Sequence, residues 1–329
     1  MKKLLLSVVA VLFAATGFAQ NGLVASLSSG TNVTYFYGVN ALKDAVAAAA
    51  SGDIINLSGG SFNATDITKA ITIRGAGIDS EAPTCIVNNI TINIPSDDAN
   101  QFVMEGVRCV NTMKTIGQYT NPYFVRCQFN AVSNNDSKDA ISNVMFANCK
   151  ITGNFTAGGS CTYSFVNCFI NNFAQYEAAT ITASNCIFEG NYYNSNNLKQ
   201  CQFFNCIFVI TSAYHAIPNS SQATNCISVN AGSHDFFVNL SIRTGCPTTS
   251  LTYATVFKTF TGTYSDTETF ELTEEAKTTY LGTDGTEIGL YGGLLPYNTT
   301  PSYPLISKME VEKQTTPEGQ LGVTIEVSK

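Results

Sequence analysis

The chain carries two histidines, and both sit at matching distances from a recurring cysteine: His215 is nine residues after Cys206, and His234 eight after Cys226. The same two offsets along the copies of that cysteine also collect Asp136, Tyr176, Glu177, Ser195, Tyr214 and Asp235. Neighbouring parallel strands lie about 4.8 Å apart, so positions with one offset can align as an outer stripe. Tyrosine faces flanked by carboxylates and imidazoles are what a carbohydrate groove needs. General acid–base work between His215 and Asp235 needs reach of about 2.6–3.2 Å to the proton, or one intervening water. No activated nucleophile or metal-ligand set accompanies the pair, so binding is the expectation. The Cys149 copy supplies only Ala157 and Gly158, a gap in the stripe. The plainer alternative is a set of ordinary polar turn residues.

Other chemistry is sparse. Eleven cysteines without a CxxC pair, beside two histidines, do not make a zinc site. No metal site and no cofactor is expected.

The elements that must position the stripe follow from the cysteine itself. Phe146-Ala147-Asn148-Cys149, Phe165-Val166-Asn167-Cys168, Phe203-Phe204-Asn205-Cys206 and the copies at Cys127, Cys186 and Cys226 share one local pattern, with a weaker first copy at Cys109. The steps are 18, 22, 19, 18, 20 and 20 residues, the period of a solenoid whose units cannot bury their apolar faces alone. The position three before the cysteine, held by Phe124, Phe146, Phe165 and Phe203, points inward. Loss of Phe165 should therefore be costly. Glu189, three after its cysteine, falls on the outward phase, and its loss is expected to be nearly neutral. The seven repeated cysteines are expected to be a buried column of free thiols. Cys85, Cys161, Cys201 and Cys246 fall off it. The residue before the cysteine is Asn148, Asn167, Asn185, Asn205 or Asn225, with Arg126 and Arg108 in the earlier copies. Asn tolerates the left-handed backbone of a sharp turn, and stacked Asn side chains can bond their copies above and below.

Lys2-Lys3, the apolar run Leu4–Ala15 and Gly17-Phe18-Ala19 form an export signal over residues 1–19, cleaved before Gln20. The run is shorter than the roughly 20 residues that span a bilayer. An exported, extracellular, surface or periplasmic protein without a membrane span is expected. Residues 20–52 read as a cap. Within it Asn40–Ala50 is an alanine-rich helix with Asn40 as N-cap and Gly52 beyond its end. Residues 53–293 read as the coils and 294–329 as a tail, with a hairpin of Ile306–Lys313 and Leu321–Val327 around Thr316-Pro317-Glu318-Gly319. The formal charge of −7 gathers toward the end: residues 266–329 hold 11 acids and 4 bases, residues 20–265 hold 13 and 11. The nearly neutral body excludes a nucleic-acid partner.

Asp44-Ala45-Val46 through Gly52-Asp53, Leu57 to Phe62 and Ile71-Thr72-Ile73-Arg74-Gly75-Ala76-Gly77 together resemble the opening of secreted right-handed parallel β-helix proteins of the pectin-lyase-like superfamily. Asp284-Gly285-Thr286-Glu287-Ile288-Gly289 to Gly293 is similar to the close of members from Bacteroidetes. The resemblance implies an all-β fold, a right-handed parallel β-helix with an N-terminal capping helix and a C-terminal hairpin tail. It does not imply one activity, because the fold hosts lyases, hydrolases, adhesins and scaffolds. The paired acids of its hydrolases are matched only by Asp97-Asp98, and their Gly-His-Gly and Arg-Ile-Lys motifs are absent. The calcium carboxylates of its lyases have six candidates between Glu105 and Asp235: Glu105, Asp136, Asp139, Glu177, Glu189 and Asp235. Cys186–Asn191 and Ile151–Asn154 weakly resemble the Phe-x-x-Asn repeats of β-helical adhesins. Tryptophan, a common sugar-stacking residue, is absent. The expectation is a carbohydrate-binding or adhesive protein whose partner is a polysaccharide or surface glycan. The alternatives are a divergent polysaccharide lyase or glycoside hydrolase, and a structural subunit of a surface assembly.

Overall fold

The computed structural model describes residues 22–134, 138–175, 179–190, 200–211, 221–240, 242–262, 264–311 and 323–328. The chain opens with an antiparallel hairpin of β1 (Val24–Ser29) and β2 (Asn32–Tyr37), then helix α1 (Ala41–Ala48). Coils follow, each placing strands in two sheets. They are β3 (Ile54–Leu57) with β4 (Gly60–Asn63), then β5 (Thr72–Arg74) with β6 (Thr84–Val87) and β7 (Ile90–Ile92). Next come β8 (Val103–Glu105) with β9 (Val107–Thr115), and β10 (Tyr123–Val125) with β11 (Gln128–Ser133). The middle coils are β12 (Val144–Ala147) with β13 (Lys150–Ile151) and β14 (Phe155–Ala157), and β15 (Thr162–Val166) with β16 (Phe169–Asn171) and β17 (Phe173–Gln175). The last are β18 (Thr180–Ser184) with β19 (Ile187–Gly190), β20 (Cys201–Phe204) with β21 (Ile207–Ile210), and β22 (Gln222–Thr224) with β23 (Ile227–Val229), closed by β24 (Ile242–Thr244). Every coil-to-coil pairing is parallel, giving an all-β solenoid of about eight turns. The first sheet runs from β2 to β24; the second runs from β4 to β23, and β7, β14, β17 and the ends of β9 and β11 form a third face. No described helix is long and apolar enough to cross a membrane.

The core is a set of stacked columns. Ile55, Ile73, Met104, Phe124, Phe146, Phe165, Ala183, Phe203 and Ala223 are strict register partners on the first sheet, all buried, as the repeat predicts. Phe62, Ile86, Cys109, Phe129, Ile151, Ile170, Phe188 and Phe208 face them from the second. Rings stack between coils, as in Phe124–Phe146 at 4.8 Å, and meet edge-on across the core, as in Phe188–Phe203 at 5.4 Å. Helix α1 covers the first coil with Ala41, Leu42, Ala45 and Val46. Asn40 stands at the N-cap position, but its side chain does not cap; its Oδ1 accepts from Asn63 Nδ2 at 2.8 Å instead. The helix's C-terminal carbonyls are served by Lys69, whose Nζ reaches the Val46, Ala47 and Ala49 oxygens.

The corner between the sheets is the asparagine column. Arg126, Asn148, Asn167, Asn185, Asn205 and Asn225 all hold φ between 49° and 55°, and each N–H donates to a carbonyl of the next coil. This left-handed turn was legible. The ladder's ends were not. Arg108 lies inside β9, and the turn of its coil is Gly106 at φ 68°. Cys109 therefore pairs with Phe129, two residues beyond the ladder, and Val107 takes the place expected for Cys109. At the other end Gly245, at φ 66°, makes the same turn, and the amide of Cys226 lies 3.3 Å from the Cys246 sulfur. Cys246 belongs to the column, which runs Cys127, Cys149, Cys168, Cys186, Cys206, Cys226, Cys246. These sulfurs lie against main-chain carbonyl oxygens, such as Met104 O at 3.3 Å from Cys127 and Phe124 O at 3.4 Å from Cys149. Burial pushes the Cys149, Cys186 and Cys226 thiols well above their ordinary range, so they stay protonated. All eleven cysteines are free. Thiol titration of the denatured, unreduced protein should count eleven; a count below seven would mean that the column is bridged.

After β24 the chain leaves the coils. Residues 252–293, expected to complete them, do not: residues up to Tyr280 form a layer outside the second sheet through α2 (Tyr253–Val256) and α3 (Glu274–Thr279). Val256, Phe257, Phe260, Phe270 and Leu272 pack on the outward residues Phe169, Ile187, Ile207, Val209, Ile227 and Val229. Phe270 stacks on Phe169 at 4.6 Å. This layer overturns the expectation for Glu189. Its register with Asn171 and Val209 confirms the outward phase, yet the residue is only 5% exposed and its Oε2 has no hydrogen-bond partner.

Residues 281–304 then run back along the asparagine corner as a strap. Asn205 Oδ1 accepts from Thr283 N at 3.1 Å, and Asn167 Nδ2 donates to the Leu290 and Gly292 oxygens at 2.7 and 2.8 Å. Farther along, Ser302 donates N–H and O–H to the Glu105 carboxylate, which also holds Arg126 at 2.9 Å. The Tyr303 hydroxyl donates to Gly75 O. The Asn167 and Asn205 side chains thus hold the strap; among the described residues one bond joins copies, Asn205 Nδ2 to Asn185 Oδ1 at 3.3 Å. The tail ends in β25 (Leu305–Val311) and β26 (Val323–Ser328), an antiparallel pair near the expected positions that joins no other described strand.

Candidate functional site

Of the stripe, Asp136, Tyr176, Glu177, Ser195, Tyr214 and His215 lie outside the described residues. His234 is exposed and Asp235 half-buried, in the turn after β23. Asp235 is engaged there: its Oδ2 takes Arg243 Nη1 at 2.6 Å and its Oδ1 accepts from Phe237 N at 3.0 Å. Arg243 in turn donates to Cys246 O, so this carboxylate closes the last coil. In the Cys149 coil both stripe positions, Ala157 and Gly158, are buried. Ala157, eight after its cysteine, pairs with Gln175, seven after Cys168. Counting forward across loops of unequal length therefore slips the register by a residue.

Counting backward does not slip. The residue four before each ladder cysteine is Tyr123, Met145, Ser164, Thr182, Gln202, Gln222 and Ile242, and these are direct register partners on the outer face of the first sheet. Alternation puts Phe124, Phe146 and Phe165 in the core and these neighbours outside. Two shallow grooves lie on this face. One, of about 720 Å³, is lined by Ser96–Gln101, Thr120, Asn121, Asn143, Met145 and Ser164. The other, of about 400 Å³, is lined by Thr180, Thr182, Gln200, Gln202 and Gln222 among others. They abut where Ser164 pairs with Thr182.

The rim of the larger groove is fixed by polar bonds. Asp98 accepts from Ser51 Oγ at 2.6 Å, from Ala70 N at 2.9 Å and from Asn100 N at 3.1 Å. Burial acts to raise its pKa, but these hydrogen bonds outweigh it and hold the carboxyl below the usual range. Tyr119 O–H donates to Asn100 O and accepts from Phe102 N, anchoring the same loop. On the floor Asn143 Nδ2 donates to Asn121 Oδ1 at 3.0 Å; both residues hold left-handed turns. Ser164, Thr182, Gln202 and Gln222 bond through their side chains to no described residue. The described lining holds hydroxyl, amide and two carboxylate groups, and no histidine, lysine or arginine. Among the described residues no group of three or more His, Cys, Asp or Glu is placed to hold a metal ion. The arrangement suits a ligand rich in hydroxyl groups.

No family model matches this chain, and no curated protein matches it.

Proposed function

We propose that this chain is an exported solenoid that binds a glycan along the outer face of its first sheet, in surface recognition or adhesion. The observation that carries this reading is the unbroken outward column Ser164, Thr182, Gln202, Gln222, which leaves one unused hydrogen-bonding side chain per strand. From Ser164 to Gln222 it covers three strand steps, roughly 14 Å. Sugar hydroxyls are neutral donors and acceptors, and an uncharged floor of hydroxyls and amides matches them without the desolvation cost of burying a charge. Asp98 is committed to holding its loop, so a pair of free carboxylates, which glycoside hydrolysis requires, is not assembled by Asp97-Asp98.

A polysaccharide array probed with the mature protein, read for binding and for cleavage, tests the proposal. The double replacement Thr182→Ala with Gln202→Ala is expected to weaken the bound glycan at least tenfold and leave the urea midpoint unchanged. Cleavage on the array would favour the lyase or hydrolase alternative. Loss of binding in Tyr176→Ala with Tyr214→Ala, and not in the first pair, would move the site to the stripe.

A further inference from the structure

A separate cavity, of about 660 Å³, opens where the N-terminal hairpin, the first two coils and the end of the strap converge. Its walls are largely apolar: Val24, Tyr35, Leu57, Tyr303 and Pro304 line it. Tyr35 is 57% exposed, so its ring is accessible to a ligand. Arg74 is the one cation in the lining. Its guanidinium lies over the Tyr303 ring, 5.2 Å from the centroid, and its Nε is buried without a hydrogen-bond partner. The acid next to it in register, Glu105, is taken: its Oε1 accepts from Arg126 and Ser302 N, and its Oε2 from Ser302 Oγ. Glu81, the one acid in the lining, is exposed and makes no ion pair with Arg74. Arg74 is thus a half-buried guanidinium with no anionic partner among the described residues, and leaving such a charge unpaired is costly.

We infer that this cavity is a binding site for a small ring-bearing carboxylate. The carboxylate would meet the fork of Arg74, the side chain best matched to it, and the ring would lie against Tyr35 and the apolar wall. The size falls within the range of small-molecule sites. The strap builds part of this wall through Tyr303, whose hydroxyl is spent on Gly75 O, so the site exists only when the strap has folded back on the early coils.

Calorimetric titration of the full mature protein with 4-hydroxybenzoate and with its neutral analogue 4-hydroxybenzamide tests the inference. The carboxylate is expected to bind one site at least tenfold more tightly than the amide. Arg74→Gln should bring the carboxylate down to the affinity of the amide, and Tyr35→Ala should weaken both. Equal affinities for the two probes, or no binding with the carboxylate at about 10 mM, overturn it. If Arg74→Gln does not fold, the comparison of the two probes on the parent protein decides alone. Glycan binding on the first sheet does not involve Arg74, so the two proposals can fail separately.

Discussion

Replacing Phe165 with alanine is expected to destabilise the protein by about 3–5 kcal/mol, the usual loss for a core phenylalanine. Phe165 is 1% exposed, stacks on Phe146 at 5.2 Å and meets the edge of Phe155 at 5.1 Å. Its register partner on the next coil is Ala183, so the truncation would place two small side chains in succession in one column. Neighbours held by main-chain hydrogen bonds on both sides cannot collapse into that gap, which puts the expectation in the upper half of the range. Urea midpoints measure it, with Thr180→Ala, an exposed residue of the adjacent strand, as the control. Matching midpoints for the two variants would show that the inward assignment is wrong.

The second large effect is a pH dependence centred on Glu189. Burial under the outer layer pushes its carboxyl up from 4.5 to about 7. A carboxyl whose pKa is higher in the folded than in the unfolded state binds its proton more tightly when folded. Stability is therefore greatest below about pH 4.5 for this group, falls as pH rises through the interval, and levels off above about 7. At about 1.4 kcal/mol per unit, the fall amounts to about 3 kcal/mol. Glu189→Gln should flatten the profile between pH 5 and 8 and make the protein more stable than the parent at pH 8. An unchanged slope in Glu189→Gln would mean that other groups govern that interval.

The repeat revealed the coils because it is written in residues that each do one job: a small thiol inside, an asparagine at a left-handed corner, a phenylalanine across the core. It misled at the ends because the corner, not the cysteine, carries the register. Gly106 and Gly245 make that turn without asparagine, which gave Cys109 a place it does not hold and hid Cys246. The outer layer was half legible. The residue after the ladder cysteine changes from Gln128 and Lys150 to Phe169, Ile187, Ile207 and Ile227, and apolar residues on both faces mark a strand buried on both sides. What covers it was not legible, since Val256, Phe257, Phe260, Phe270 and Leu272 follow no period and meet their partners only in space. The groove column four before each cysteine was also in plain view. The stripe of histidines and tyrosines falls later in each repeat, where unequal repeat lengths break the count.

The strap changes how this molecule can come apart. A row of stacked coils is a zipper: each coil touches only its neighbours, and melting starts at whichever end is weaker. Here Tyr303 reaches Gly75 across 228 residues of sequence, while Thr283 is held at Asn205, so most of the row is tied along one edge by a single segment. The coils between those two points cannot separate one by one while that tie is in place, and once it is released several of them lose a partner together. The tied coils of a molecule built of repeats thereby gain the cooperativity of a compact domain, and gain it only when residues 281–304 have been made.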